Sequence, residues 1–206
     1  MRQVLISLIL ALIAAPAWAQ TVQQLDWCSS PHASADQRIA GCTARIQSGQ
    51  EAAAILAEDD NSRGLAYDGN GLRDQAIADY TQAIAVKPNY AEAYDNRGAD
   101  YGRKGLYDQV IADYTKAIAL EPDDAQAYNN RGNAYAGKGR YDQAISDFTQ
   151  AIALKSDYAR AYCNRGAVYD GKGLHEKAIA DYRAALAVEP EMTTAREALI
   201  RLGAKP

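Results

Sequence analysis

An all-α solenoid of four helical hairpins is what this sequence predicts. Three observations carry it: one pattern of residues recurs every 34 positions, apolar residues within each copy fall three to four apart, and Gly and Pro stand at fixed places between the runs. Superimposing the chain on itself at that shift aligns Tyr94-Asp-Asn-Arg-Gly98, Tyr128-Asn-Asn-Arg-Gly132 and Tyr162-Cys-Asn-Arg-Gly166, with Asp60-Asn-Ser-Arg-Gly64 as a degenerate first copy. The ladder continues through Tyr67/Tyr101/Tyr135/Tyr169, Gly71/Gly105/Gly139/Gly173, Tyr80/Tyr114/Phe148/Tyr182 and Ala83/Ala117/Ala151/Ala185. One hairpin of this length leaves its apolar face bare, so the copies must stack to fold.

Taken in order, the first element is a secretory signal peptide over residues 1–19: Arg2, an apolar run from Val4 to Ala15, then Pro16 and the small-x-small triplet Ala17-Trp18-Ala19. The run is too short for a spanning helix, which needs about 20 apolar residues. Export follows as an expectation, most simply to a bacterial periplasm and otherwise outside the cell. A leader over 20–56 carries one helical stretch, Ser34 to Ser48, expected to set Ile39 and Ile46 on one side and cap the first copy. In the second copy an amphipathic run from Ala91 to Lys104 is broken by Gly105. A second run starts at Tyr107 and stops near Glu121, because Pro122 lacks the amide donor and disfavours helical dihedrals in the residue before it. After Pro190, Thr193 to Gly203 reads as a C-terminal capping helix with a Thr N-cap and a Gly stop, ahead of the tail ending at 206.

This ladder of large, small and proline marks resembles the tetratricopeptide repeat, over about 57–192, with units at 57–90, 91–124, 125–158 and 159–192. The resemblance implies a right-handed superhelix of hairpins whose first helices line a groove for an extended peptide or a partner helix. An alternative is a docking or regulatory subunit of a cell-envelope enzyme complex; the fold alone does not separate the two.

Arg63, Arg97, Arg131 and Arg165 recur in every unit, as do Asp79, Asp113, Asp147 and Asp181. A catalytic residue has no reason to appear four times, so structural ion pairs are expected, within a unit or between neighbours. Of 14 tyrosines, ten sit on ladder positions and read as packing. His32 and His175 have no Cys or His at metal-ligand spacing. His175 stands where other units carry Tyr107 and Tyr141, so it reads as a packing residue. The glycines punctuate repeats and make no phosphate loop. Catalytic, metal and cofactor residues are therefore expected to be absent, and the chain is expected not to be an enzyme. A net charge of -4 without a basic block disfavours nucleic acid and anionic membrane.

In an exported chain, Cys28 and Cys42 are expected to form a disulfide, leaving Cys163 free.

The family's groove-lining places fall on Glu58, Asn61, Leu65 and Asp68 in the first unit and Glu92, Asp95, Ala99 and Arg103 in the second. They fall on Gln126, Asn129, Asn133 and Ala136 in the third and Arg160, Cys163, Ala167 and Asp170 in the fourth. These residues differ between units where the ladder does not. Some family members clamp a terminal carboxylate with Lys and Arg; here Asn96 matches one such place, while Asn61, Leu65, Gln126 and Asn130 occupy the others. A C-terminal carboxylate is thus a poor ligand. Asn61, Asn129 and Asn133 are expected to pair with the backbone of an extended segment, and Asp68, Asp95 and Asp170 to favour its basic side chains.

Overall fold

The computed structural model describes residues 24–205, so the signal-peptide stretch at 1–19 lies outside the described residues. Ten helices follow one another: α1 (Ala35–Ser48), α2 (Ala53–Gly69), α3 (Arg73–Val86), α4 (Ala91–Arg103), α5 (Tyr107–Leu120), α6 (Ala125–Gly137), α7 (Tyr141–Leu154), α8 (Ala159–Gly171), α9 (His175–Val188) and α10 (Thr193–Arg201). The pairs α2/α3, α4/α5, α6/α7 and α8/α9 are the four hairpins, units one to four, wound as a right-handed superhelix. Within each hairpin the turn is set by a glycine in the left-handed region, Gly71, Gly105, Gly139 or Gly173, with φ of 76°, 72°, 72° and 73°. The amide after that glycine bonds back to a ladder tyrosine's carbonyl, as from Leu106 to Tyr101 at 2.9 Å, which closes the helix end. The second helices end before Pro88, Pro122 and Pro190, and α7 ends at Leu154 without one.

Close approach within a hairpin depends on Gly64, Gly98, Gly132 and Gly166. A Cβ at Gly132 would lie 2.8 Å from the Phe148 ring, and one at Gly64 2.6 Å from the Tyr80 ring. Tyr80, Tyr114, Phe148 and Tyr182 thereby bury almost completely against their own unit's first helix. Alanines such as Ala83, Ala93, Ala151 and Ala161 take the tightest places between neighbours.

The leader is more than a lid. Helix α1 occupies the place of a second helix belonging to a unit before the first. Arg97, Arg131 and Arg165 each donate to a threonine 16 residues earlier on the preceding second helix, Thr81, Thr115 and Thr149. Arg63 does the same to Thr43 on α1, but at a separation of 20. Lys104, Lys138 and Lys172 pair with Asp74, Asp108 and Asp142, 30 residues back. Asn70 reaches Asp36 on α1 across 34. Both offsets are four residues, one helical turn. Their source is α2, which is 17 residues long where α4, α6 and α8 are 13. It starts at Ala53, one turn ahead of the boundary at 57 read from the repeat alone.

Helix α1 starts with a capping box, in which Gln37 N donates to Ser34 Oγ at 3.2 Å and Ser34 N to Gln37 Oε1 at 2.9 Å. Ile39 and Ile46 are only half-buried; the buried residues of α1 are Gly41 and Cys42. The chain before it crosses there so closely that a Cβ on Gly41 would meet Gln24 O at 2.6 Å and Cys28 N at 2.7 Å. Cys28 and Cys42 are bonded to each other at that crossing, and Cys163 is free. Closing so short a loop stabilises the fold by about 3 kcal/mol in the chain-entropy picture.

At the other end α10 takes the place of a fifth first helix. Its N-cap is Met192, extended and without a side-chain cap bond, so Thr193 is the first helical residue and not the cap. Met192 is held there by burial beside Tyr182 and Leu199. Leu199 stands where the units carry their arginine and is fully buried. No second helix follows it among the described residues, and an arginine there would face no aspartate in them. Gly203, with φ 70°, ends the helix.

Candidate functional site

The recurring charges form a frame. Each arginine grips the aspartate 16 residues on, in the second helix of its own unit, through two bonds: Arg63 to Asp79 at 2.7 and 2.7 Å, Arg97 to Asp113 at 2.8 and 2.7 Å, Arg131 to Asp147 at 2.8 and 2.9 Å, Arg165 to Asp181 at 2.8 and 2.8 Å. These pairs link the two helices of one hairpin, and the third donor reaches the preceding unit. In units two to four the guanidinium also lies between two tyrosine rings, Arg131 being 5.6 Å from the centre of Tyr128 and 5.9 Å from that of Tyr135. Hydrogen bonding to the aspartate raises each arginine's pKa further.

The inner face is what the frame leaves free. First helices of successive units, α2, α4, α6 and α8, lie side by side along it. Glu58, Leu65, Glu92, Gln126, Asn133, Arg160 and Ala167 are exposed there, and Ala99, Ala136 and Cys163 are half-buried. Gln126 and Arg160 come together with Asp124, Lys155 and Tyr158 around a polar hollow of about 320 Å³. The Cys163 thiol is pushed up by burial and lies 3.7 Å from Thr194 Oγ1.

Several expected ligand-facing groups are spent inside the protein. Asn61 and Asn129 are buried, at 2% and 3% exposure. Asn96 Nδ2 donates to Asn61 Oδ1 at 3.0 Å and Asn164 Nδ2 to Asn129 Oδ1 at 3.0 Å, so each seals a junction with the next unit. Asn61 in turn donates to Glu92 at 3.2 Å. The expectation that Asn61 and Asn129 meet a peptide backbone is therefore corrected: their amides are satisfied by neighbouring side chains. Asp68 is also taken, by Arg103 at 2.9 Å, and Asp170 by Arg201 at 2.6 Å and His175 at 3.0 Å. Neither offers a free charge to a partner. His175 is exposed and bonded to Asp170, so it is not a packing residue; the tyrosine it replaces, Tyr107, lies against Gly137, and the smaller imidazole turns instead to the carboxylate.

The junction of units two and three departs from this. The place of Asn61 and Asn129 is held by Asp95, and no asparagine pair forms; Asn130 Nδ2 turns to Tyr114 Oη at 3.0 Å. Tyr114 Oη donates to Asp95 O at 3.3 Å. Burial, then the Asp124 carboxylate, with Glu121 and Glu92 behind it, pushes the Asp95 carboxyl up to about 8, so it is protonated at neutral pH. Asp95 Oδ1 is buried without a hydrogen-bond partner. Beside this corner a cleft of about 410 Å³ opens between α4 and α6, floored by Gly98, Ala99, Gly102, Val110 and Ala134 and walled by Arg103, Tyr107, Tyr114, Asn130 and Asn133.

Gly102, Tyr107, Val110 and Tyr114 were not among the places carried over from the repeat pattern. One signal for them was present: Gly102 stands where the other units have Asp68, Ala136 and Asp170. Asp100 was likewise passed over, although its sister positions are Ala66, Ala134 and Val168. It is fully buried, accepts from Arg103 Nη1 at 2.5 Å, and is raised above the usual carboxylate range by burial and by Asp68. Among the described residues no group of three or more His, Cys, Asp or Glu is placed to hold a metal ion, and no helix is long and apolar enough to cross a membrane.

Comparison with known proteins gives tetratricopeptide repeat models matching residues 61–90 and 159–192, and a further TPR repeat model matching 100–139 and 132–173. Among solved structures, MamA is similar at 25% identity, over 88% of this chain and 99% of that one, with a TM-score of 0.70. YrrB, described as a TPR protein with an unusual peptide-binding site, matches at 19% identity over 90% and 98%, with a TM-score of 0.74. The first TPR of Spaghetti (RPAP3), bound to the HSP90 peptide SRMEEVD, matches at 32% identity over 55% of this chain and 90% of that one, with a TM-score of 0.54. No curated protein matches the chain.

Proposed function

We propose that this chain, which belongs to the tetratricopeptide repeat family, is an exported scaffold holding an extended segment of another protein along the inner face of its array. The observation that carries the reading is the cleft between units two and three. Exposed Gly102, Arg103, Tyr107 and Asn133 line it above packed Gly98, Val110, Tyr114 and Ala134, at the one junction between units where no asparagine seal forms. A solvent-facing groove whose side chains vary from unit to unit, on a frame that does not, is what a surface fitted to one partner requires. The Spaghetti repeat domain, which shares this fold, holds a peptide. The acidic-terminus mode is disfavoured here, because Asn61, Leu65, Asn96, Gln126 and Asn130 put no cation at the clamp places.

Export rests on the signal-like pattern of residues 1–19 and agrees with a bonded Cys28 and Cys42, a pair that persists in oxidising compartments. Amino-terminal sequencing of the protein recovered from the producing cell is expected to begin at Gln20. A photo-crosslinking residue at Asn133, on the inner face, is expected to trap the partner, and the same residue at the exposed Lys116 of α5 is not. Trapping from Lys116 alone would leave docking through the outer surface, as in a subunit of an envelope complex, as the better account.

A further inference from the structure

The cleft between units two and three has one apolar end and one acidic end. Its floor is glycine, alanine and valine, and a Cβ built on Gly102 would meet only Val110 Cγ2, at 3.8 Å, so the space above it is open. The one cation on its wall is committed elsewhere: the Arg103 guanidinium faces Asp68 at 2.9 and 3.0 Å and Asp100 at 2.5 Å. No free charge therefore faces the floor, and water there gains few hydrogen bonds. Removing apolar surface from water is the main gain such a floor can offer. At the other end Tyr114 and Asn130 bond each other, and Tyr114 bonds the backbone of Asp95. Beyond them stand Asp95, Asp124, Glu121 and Glu92, and burial and then the other three raise Asp95. None of these four forms an ion pair with a Lys or Arg among the described residues, although Lys155 and Arg160 line the polar hollow on the far side of Asp124. Asp124 spends its Oδ1 on the amides of Gln126 and Ala127, at the start of α6, and Asp95 Oδ1 is buried and unpartnered.

We infer that the segment held at this junction carries a bulky apolar side chain, aromatic or long aliphatic, with a lysine or arginine two positions away. The apolar group fills the space over Gly102 and Val110, and the cation sits at Asp95 and Asp124. In an extended strand alternate side chains share one face and lie about 6.8 Å apart along the axis, so residues two positions apart face the cleft together, and the long basic side chain spans the rest of the roughly 10 Å of α4 between Gly102 and Asp95. The proton that Asp95 holds in the free protein takes the place of that cation. Long-range attraction between the carboxylates of Asp124, Glu121 and Glu92 and a basic segment also orients the encounter. This inference rests on the inner-face reading above and names the chemistry of its partner.

The test uses a random peptide library displayed on phage and selected on the immobilised mature protein, with affinities of the selected peptides measured by fluorescence anisotropy. The expected result is a shared pattern of one aromatic or long aliphatic residue two positions from Lys or Arg. Binding is expected to fall at least tenfold in Gly102→Leu, which fills the space, and at least threefold in Asp95→Asn, which removes one of the two carboxyls assigned to the cation. Circular dichroism establishes that both variants fold, and Ala99→Leu, on the next turn of α4, repeats the filling should Gly102→Leu not fold. Peptides that lose affinity in Gly102→Leu but carry an acidic or wholly polar pattern would overturn this inference and leave the inner-face reading standing. Peptides indifferent to all three substitutions would overturn both.

Discussion

The junction between units three and four and the junction between units two and three are built on one frame and finished differently. At both, an arginine grips its own aspartate and reaches back to the preceding threonine, Arg165 to Thr149 at 2.9 Å and Arg131 to Thr115 at 3.1 Å. On the inner face the first of these junctions is sealed by Asn164 on Asn129. The second has Asp95 where that asparagine would be, and a cleft beside it. Stability and specificity have thus been assigned to different positions of the same repeat. Where every unit agrees, the residue holds the stack; where one unit departs, the departure marks what the stack is for.

The largest effect expected on this comparison is shared by both junctions. Truncating Arg131 or Arg165 to Ala leaves a nearly buried aspartate without its partner and should cost about 3 to 5 kcal/mol each. Urea denaturation of the two variants is expected to give similar losses. Unequal losses would mean that the frame itself, and not only its inner face, differs between the junctions.

A smaller effect should separate them. Asn129→Ala leaves the half-buried Asn164 amide without its acceptor and should cost about 1 to 3 kcal/mol. Asp95→Ala, at the same place one unit earlier, removes a carboxyl that is already unfavourably buried and should cost nothing or stabilise. Thermal melts of the two variants at neutral pH compare them directly.

Much of this was legible in the sequence because the frame residues carry signal and load together. Arg97, Asp113, Gly98 and Tyr114 repeat because each must meet the others in every hairpin. The leader was harder to read. Thr43 and Asp36 do on α1 what Thr81 and Asp74 do on α3, but the extra turn of α2 displaces them by four residues from the repeat register. Groove residues were harder still. Asn61 and Asn129 stand at ligand-facing places in the family's pattern, and only the contact 35 residues on, with Asn96 and Asn164, buries them. Asp68 and Asp170 were similarly neutralised by arginines that follow no repeat period, Arg103 and Arg201.

The pH response of the open junction should be weaker in size and distinctive in sign. The Asp95 carboxyl is raised from 3.8 to about 8 in the folded protein, by burial and then by Asp124. The folded state therefore holds this proton more tightly than the unfolded chain. Its contribution is fully favourable below pH 4 and is lost as pH rises towards 8. Replacing Asp95 by Asn, which has no such proton, should stabilise the protein at pH 8 relative to wild type by about 1 kcal/mol, after allowance for solvent screening of a part-exposed site. The difference between the two proteins should shrink as pH falls to 4. A difference that stays constant across that range would mean that Asp95 is ionised throughout and that the junction already holds a counter-ion.

The most direct test of whether the open junction is the binding site compares Gly102→Leu with Ala136→Leu, the same position one unit later, using one selected peptide and fluorescence anisotropy. Gly102→Leu fills the cleft between units two and three, and Ala136→Leu adds the same side chain at the sealed junction between units three and four. The expected result is a loss of at least tenfold for the first and less than threefold for the second, with both proteins folded. Equal losses, or the larger loss at Ala136, would contradict the assignment and place the partner elsewhere along the array.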